Sequence, residues 1–382
     1  PVFLVGRAFA GLGTGLSVVA LYVIIGRFYP SGLRPTVFTY VSAAWVLPSL
    51  LGPSVAAWLT ESFSWRWVFG IVCVPAVAAA AVVASRARSV EMAYADPAPT
   101  TPDGRADVPV DGADRLDADA GVDPAGRAAH LRTAAIGIGV AAAAGVVQYG
   151  SAQLRTVVSA AGAAILVGVV AVLLTAPRVL TPGTLTMRRG LASVMTARLL
   201  LMAAFNGVVS FVPLMLTAER GASLPIVGVT LTVGSLGWFA GAWVQGRSRW
   251  TGRRWQLVAG GGVGLSAGLL LCVLVAATTL PWPVLAAGQL LAGLGMGLAT
   301  ASTGVLALEL APVSDHGAAS SSLQLSDSLG SITGLSTASA VYAALHVSAG
   351  ADRGVYVVMW SALVVLALLV VAAGVRARVE RG

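Results

Sequence analysis

Two carboxylates, Asp327 and Glu309, lie within or at the edge of long apolar runs, and Arg7 lies inside another. A charge in such surroundings is costly and usually faces a cavity or a partner. A carboxylate there can surrender its charge by taking a proton, which suits a proton carrier. Asp327 lies about two turns into its run, beside Gln324 and Ser328, where a coupling or substrate group belongs. Glu309 lies near the end of its run, within reach of solvent. Arg7 reads either as a proton-relay or substrate contact or as a side chain that snorkels to the surface. Asn206, Trp238 and Gln289 put further polar or aromatic groups inside apolar runs, as the lining of a pathway or as packing.

Other chemistry is missing from the pattern. His130, His316 and His346 are scattered, and no Ser–His–acid arrangement or phosphate-binding loop is present. Cys73 and Cys272 lie in separate apolar runs without a metal-site spacing, so both are expected to be small core residues. Neither an enzyme nor an ATP-driven pump fits, and no cofactor is implied.

The elements that position these residues are helices. Of 382 residues, 57% are hydrophobic and 10% charged, against about 25% charged in a soluble domain. Apolar runs recur throughout, each long enough to cross roughly 30 Å of hydrocarbon. They predict spans at 4–26, 37–60, 66–86, 133–150, 156–176, 193–217, 224–246, 256–277, 283–311, 319–345 and 354–376. The expected fold class is an all-α membrane protein of about eleven transmembrane helices. Trp255 and Trp282 sit at span ends, as interface anchors do.

All 24 basic residues are arginine, and the net charge is +8. The arginines fall in short links between apolar runs, which excludes a nucleic-acid surface. With residue 1 placed outside, inward links and the C-terminus hold eighteen arginines and outward links four. The positive-inside bias therefore puts the C-terminus in the cytoplasm of a cell (inner) membrane protein. Residues 89–131 form the exception among the links. They are acidic and Pro-rich with few large apolar side chains, and are expected to be a disordered cytoplasmic loop.

An internal repeat organises the spans. GRAFAGLGTGL at 6–16 and GQLLAGLGMGL at 288–298 agree at seven of eleven positions. The same offset pairs Pro30 with Pro312 and Gly52 with Gly334. Both copies cross the membrane in the same sense, as in two-bundle secondary transporters. Three spans precede the second copy after the central hairpin. By symmetry, three spans of roughly 90 residues are expected upstream of residue 1. Within the copies, Gly11, Gly13, Gly293, Gly295 and Gly297 make smooth helix faces for packing or sliding. Gly52 and Pro53, with Pro48, are expected to kink their span.

These motifs resemble the major facilitator superfamily, and more narrowly its fourteen-helix drug:proton antiporter branch. GRAFAGLGTG with Arg7 is similar to the family's fourth-helix motif, and LPSLLGPSVAAWL to the antiporter motif of the fifth helix. WRWVF at 65–69 matches the start of the sixth helix. GRSRWTGRRW, with Gly246, Arg247, Gly252, Arg253 and Arg254, is similar to the loop motif of the second half. The resemblance implies a two-bundle fold lacking its first three helices. It divides the chain into a partial N-terminal bundle (1–88), the loop (89–131), an extra hairpin (132–177) and a six-helix C-terminal bundle (190–377). It implies proton-coupled efflux of drugs or other amphipathic molecules by a monomer whose partners are a small-molecule substrate, protons and the bilayer. The alternatives are a sugar, peptide or siderophore permease of the same fold, or an inactive fragment. Residues 1–382 alone are expected not to transport.

Overall fold

The computed structural model describes residues 6, 9–17, 44, 48, 52, 54–95, 124–152, 160–178, 180–246, 253–312, 315–346 and 352–378. Its helices are α1 (Trp65–Ala95), α2 (Pro124–Ala152), α3 (Ala160–Thr175), α4 (Leu191–Val209), α5 (Leu224–Gln245), α6 (Arg254–Ala277), α7 (Trp282–Leu310), α8 (His316–Leu345) and α9 (Arg353–Arg376). No strand occurs among the described residues. An apolar chain in hydrocarbon must satisfy its backbone within each segment, and a helix does so. From α5 onward the helix limits agree with the expected spans to within three residues, and the span that α4 opens runs Leu191–Glu219 against the expected 193–217. Local chemistry sets the boundaries. α5 and α7 each begin with proline in the first turn, where its missing N–H costs nothing. Beyond Val209, α4 runs through a turn at Ser210–Phe211 into Val212–Leu214 and a π-helical turn, Met215–Glu219.

The acidic link is shorter than expected. α1 continues to Ala95 and α2 begins at Pro124. These flanks are alanine-rich, and alanine is the best helix former. The rest of that segment, like Arg7, Pro53, Arg247 and Gly252, lies outside the described residues.

The chain divides into two units, Pro1–Pro53 and Ser54–Gly382. In the first, 9–17 is helical and exposed, and a side chain added at Gly11, Gly13 or Gly52 would meet open space. The shape of the expected kink at Gly52–Pro53 lies outside the described residues.

In the second unit, α7 packs between α5 and α6, α9 joins α6 to α4, and α8 lies against α4. Met195, Leu201, Met296, Met359, Trp360 and Leu363 are fully buried at the centre. The outward faces carry exposed Val263, Leu270, Val358, Val365 and Leu368, the composition of a lipid-facing surface.

Glycine sets how closely these helices approach. A Cβ at Gly293 would lie 2.0 Å from the Gly234 carbonyl oxygen, and one at Gly297 2.0 Å from that of Trp238. On the α6 side of α7, a Cβ at Gly295 would lie 2.4 Å from the Gly261 oxygen. The tightest approach joins α8 to α4, where a Cβ at Gly334 would lie 1.9 Å from the Ala203 oxygen. Backbones this close leave room only for hydrogen, as small-residue faces in membranes allow.

The two cysteines differ. Cys272 is buried on α6, as expected, but Cys73 is exposed on α1. The reason is the helix: none of the apolar stretch of α1 is buried in this unit, so an apolar position there is not a core position.

Candidate functional site

Arg198 lies in the second turn of α4, between Ala197 and Leu199, in a stretch whose neighbours Val194, Met195 and Leu201 are fully buried. Its guanidinium meets Asp327 of α8 as a two-pronged fork. Nε donates to Oδ1, and Nη2 donates to Oδ2 at 2.8 Å. Nη1 turns to α7, donating to the Thr300 carbonyl oxygen and, at 3.2 Å, to Thr303 Oγ1. Side-chain exposures of 12% for Arg198 and 17% for Asp327 make this a largely desolvated pair. One arginine thus ties together α4, α7 and α8.

The polar contacts continue along the α4–α8 seam. Ser331, one turn beyond Asp327, donates to the Asp327 carbonyl oxygen at 2.8 Å. Asn206, about two turns beyond Arg198, donates from Nδ2 to Ser331 Oγ at 3.2 Å and to the Met202 carbonyl oxygen at 3.0 Å. Beside it, Phe205 meets Trp238 of α5 edge-on, with ring centroids 5.5 Å apart. The site therefore brings together Asp327, Asn206 and, through Phe205, Trp238.

Two other sequence candidates lie elsewhere. Glu309 ends α7 and pairs with Arg254 at the start of α6, 3.5 Å apart, with a side-chain exposure of 44%. Arg254 also donates to Gln245 Oε1 at 3.1 Å, so the ends of α5, α6 and α7 meet there. The preceding Arg253 flanks α6 as its N-cap residue, and Gly246 ends α5 as its C-cap. Gln289 is 1% exposed and faces α6, donating to Cys272 Sγ at 3.4 Å. Its Oε1 is buried without a hydrogen-bond partner, on the side of Gly234 of α5, so Gln289 sits among α5, α6 and α7 and not in the α4–α8 seam.

An attractive energy of about 4 kcal/mol at 4 Å, for an effective dielectric near 20, binds such a pair. Desolvation offsets much of that, and buried pairs are often no more stabilising than apolar packing. Stability alone is thus a weak reason for the pair. What it offers is a tie between helices: the fork joins α4 to α8, while the separate contacts of Arg198 to the Thr300 carbonyl and Thr303 join α4 to α7. Among the described residues no group of three or more His, Cys, Asp or Glu is placed to hold a metal ion.

Comparison with known proteins assigns this geometry to a family. The profile of the Major Facilitator Superfamily matches residues 1–279. The chain belongs to the Major Facilitator Superfamily. A profile for sugar and other transporters also matches residues 201–377. Family membership and the long apolar helices make this a multi-pass membrane protein of a transporter family. It is similar to the multidrug transporter protein MdtP of Bacillus subtilis, 29% identical over 65 residues, covering 17% of this chain and 12% of that protein. It is similar to the efflux pump bfoC of Aspergillus brasiliensis, 34% identical over 68 residues, covering 18% and 12%. It also resembles the cis,cis-muconate transport protein of Acinetobacter baylyi, 30% identical over 73 residues, covering 19% and 18%. The aligned stretch thus spans under a fifth of each relative's length.

The facilitator's principal cation, Arg198, is not among the sequence candidates. Its signal was of the same kind as that of Arg7, a lone arginine inside an apolar run. A second cluster was also missed. Asp352, before α9, holds His346 Nδ1 at 2.5 Å and accepts from Tyr342 Oη at 3.2 Å, while its backbone N–H donates to Glu219 at 2.9 Å. Those residues lie in links or at helix ends, where composition looks ordinary.

Proposed function

We propose that this facilitator-family protein exports amphipathic or cationic molecules in exchange for protons, with Asp327 as the carboxylate for which proton and substrate compete and Arg198 as its resting partner. The observation that supports the reading is the forked Arg198–Asp327 pair within the α4–α7–α8 junction. Charged Asp327 holds α8 to α4. Taking a proton, or a cationic substrate, releases Arg198 and shifts the balance between two arrangements of the bundle. A single site that carries either proton or cation, but not both, couples the two flows in opposite directions. Asn206 and Ser331 supply hydrogen-bonding surface along the α4–α8 seam, and Trp238, against Phe205, supplies aromatic surface, together suited to an amphipathic guest. The glycine-lined α5–α7–α6 contacts, with Gly293, Gly295 and Gly297, serve as the rigid slab against which α8 moves. In the same reading the C-terminus is cytoplasmic, and Arg254 and Glu309 close the inner end. Arg7, Gly11, Gly13, Gly52 and Pro53 serve the corresponding roles in the first repeat.

The test is efflux of a fluorescent cation from proteoliposomes bearing the full-length polypeptide under an imposed pH gradient. Export should collapse with a protonophore and in Asp327→Asn. Gradient-independent export would eliminate proton coupling. A second reading, a metabolite permease, draws on the sugar-transporter profile over residues 201–377 and the muconate relative. Competition of the dye by dicarboxylates or sugars, and not by lipophilic cations, would favour it.

A further inference from the structure

Helix α8 is the unusual member of its bundle. It has 30 residues, yet it is absent from the six described helices that are long and apolar enough to cross a membrane. Serine, threonine, glutamine and aspartate recur along it, and in hydrocarbon each such group needs a partner. One side of α8 finds partners on α4, through Asp327 and Ser331. The opposite side finds them on the inserted hairpin α2–α3 and the segment that follows it.

Three positions spaced by seven residues make the second set of contacts: Ser322, Leu329 and Ser336. Seven residues are about two turns, so the three form one stripe, roughly 160° around the helix from the Asp327 face. Ser336 Oγ donates to Gln148 Oε1 of α2 at 3.0 Å. The Thr181 N–H and hydroxyl both meet Ser322 Oγ, at 2.9 and 3.0 Å. Between them Leu329 packs with Val140, Ala176 and Leu180 in a small buried cluster. Ser322 and Ser336 are themselves 2% and 5% exposed. The stripe is thus polar at both ends, apolar in the middle and covered along its length.

We propose that the hairpin α2–α3, with the segment that follows it, is a positioning element for the ion-pair site, with Gln148 and Thr181 as the positioning residues. It clamps the Ser322–Leu329–Ser336 stripe, fixes the rotation of α8 and so aims Asp327 at Arg198. It travels with α8. The lever is short. A rotation of one-tenth of a turn carries a side-chain end roughly 5–6 Å off-axis through about 3 Å, beyond hydrogen-bond reach. This proposal rests on the reading of Asp327 given above.

Two measurements on the full-length polypeptide test it. The first introduces Gln148→Cys with Ser336→Cys in a Cys73→Ser, Cys272→Ala background. Mild oxidation should join the pair in membranes, and proton-driven dye export should be no lower than in the reduced protein. Failure to cross-link, or a tenfold or greater block once linked, overturns the rigid-clamp proposal. The second compares Gln148→Leu and Thr181→Val with Leu174→Ala, an exposed position on α3. The two positioning variants should lose about fivefold of export at the optimum and move its pH profile by about half a unit. Leu174→Ala should do neither. An unmoved profile in both variants assigns the hairpin to packing alone and refutes the positioning role. Failure of the underlying reading looks different: Asp327→Asn would then keep gradient-driven export whatever the hairpin does.

Discussion

The Arg198–Asp327 fork can be tested without any substrate. The perturbations are Asp327→Asn, Arg198→Gln and the two combined, each close in shape to the native side chain. Asp327→Asn leaves a guanidinium at 12% exposure with only Thr300 and Thr303 to hold it. Stripping one partner from a desolvated pair costs about 3–5 kcal/mol, because the other charge stays buried and uncompensated. Arg198→Gln should cost a similar amount for the mirror reason. Together the changes remove both charges, so the double variant should be less destabilised than the sum by about 2–3 kcal/mol. Thermal unfolding of the full-length protein in nanodiscs, followed by pulse proteolysis, reads the three losses. A deficit of about 3 kcal/mol corresponds to roughly 6–12 °C for a domain of 150–250 residues. Losses that add to within about 0.5 kcal/mol would mean that the two charges do not sense each other. The ion pair, and the coupling scheme built on it, would then be wrong.

Other predictions follow from single contacts. Gln289→Met removes a buried oxygen that has no partner and should leave stability unchanged or raise it by about 1 kcal/mol, with dye export unaffected; a drop in export would put Gln289 on the pathway. Gly334→Ala should cost at least about 1–3 kcal/mol of unfolding free energy, since its Cβ would fall 1.9 Å from the Ala203 oxygen. Gly260→Ala, on the same bundle but with nothing within 4 Å, should be neutral or stabilising in the same assay. Glu309→Gln should cost no more than about 1 kcal/mol, because its carboxylate is 44% exposed and 3.5 Å from Arg254; a larger loss in thermal unfolding would show a tighter latch.

How far the sequence could carry the structure depended on whether the question was local. Helix existence was local. Runs of apolar residues between Pro, Gly and Arg links placed α4 to α9 closely, because hydrocarbon leaves the backbone few alternatives to a helix. α8 was located the same way, although its polar content belongs to its contacts and not to its limits. Partner choice was not local. Asp327 is visible as an acid in one apolar run and Arg198 as a base in another, yet 129 residues separate them. Nothing in either run states that they meet. Gln289 shows the converse. Its run resembles that of any pathway residue, but it stands one position from Gly288, with its Cβ against Gly234 of α5 and its amide reaching Cys272 of α6. The smooth glycine surface that lets α6 approach also carries the amide into the α6–α7 contact, away from Asp327. Cys73 fails for a related reason, since an apolar position is a core position only where a helix has neighbours to cover it. A membrane sequence therefore declares its charges one at a time. Packing decides which of them become a site, and in this bundle it does so where glycine brings two backbones together: Gly330 and Gly334 against Leu199 and Ala203. That contact holds the α8 backbone close enough for a short aspartate to reach the fork of a long arginine. A bulkier residue at either glycine would separate the charges before it disturbed either helix.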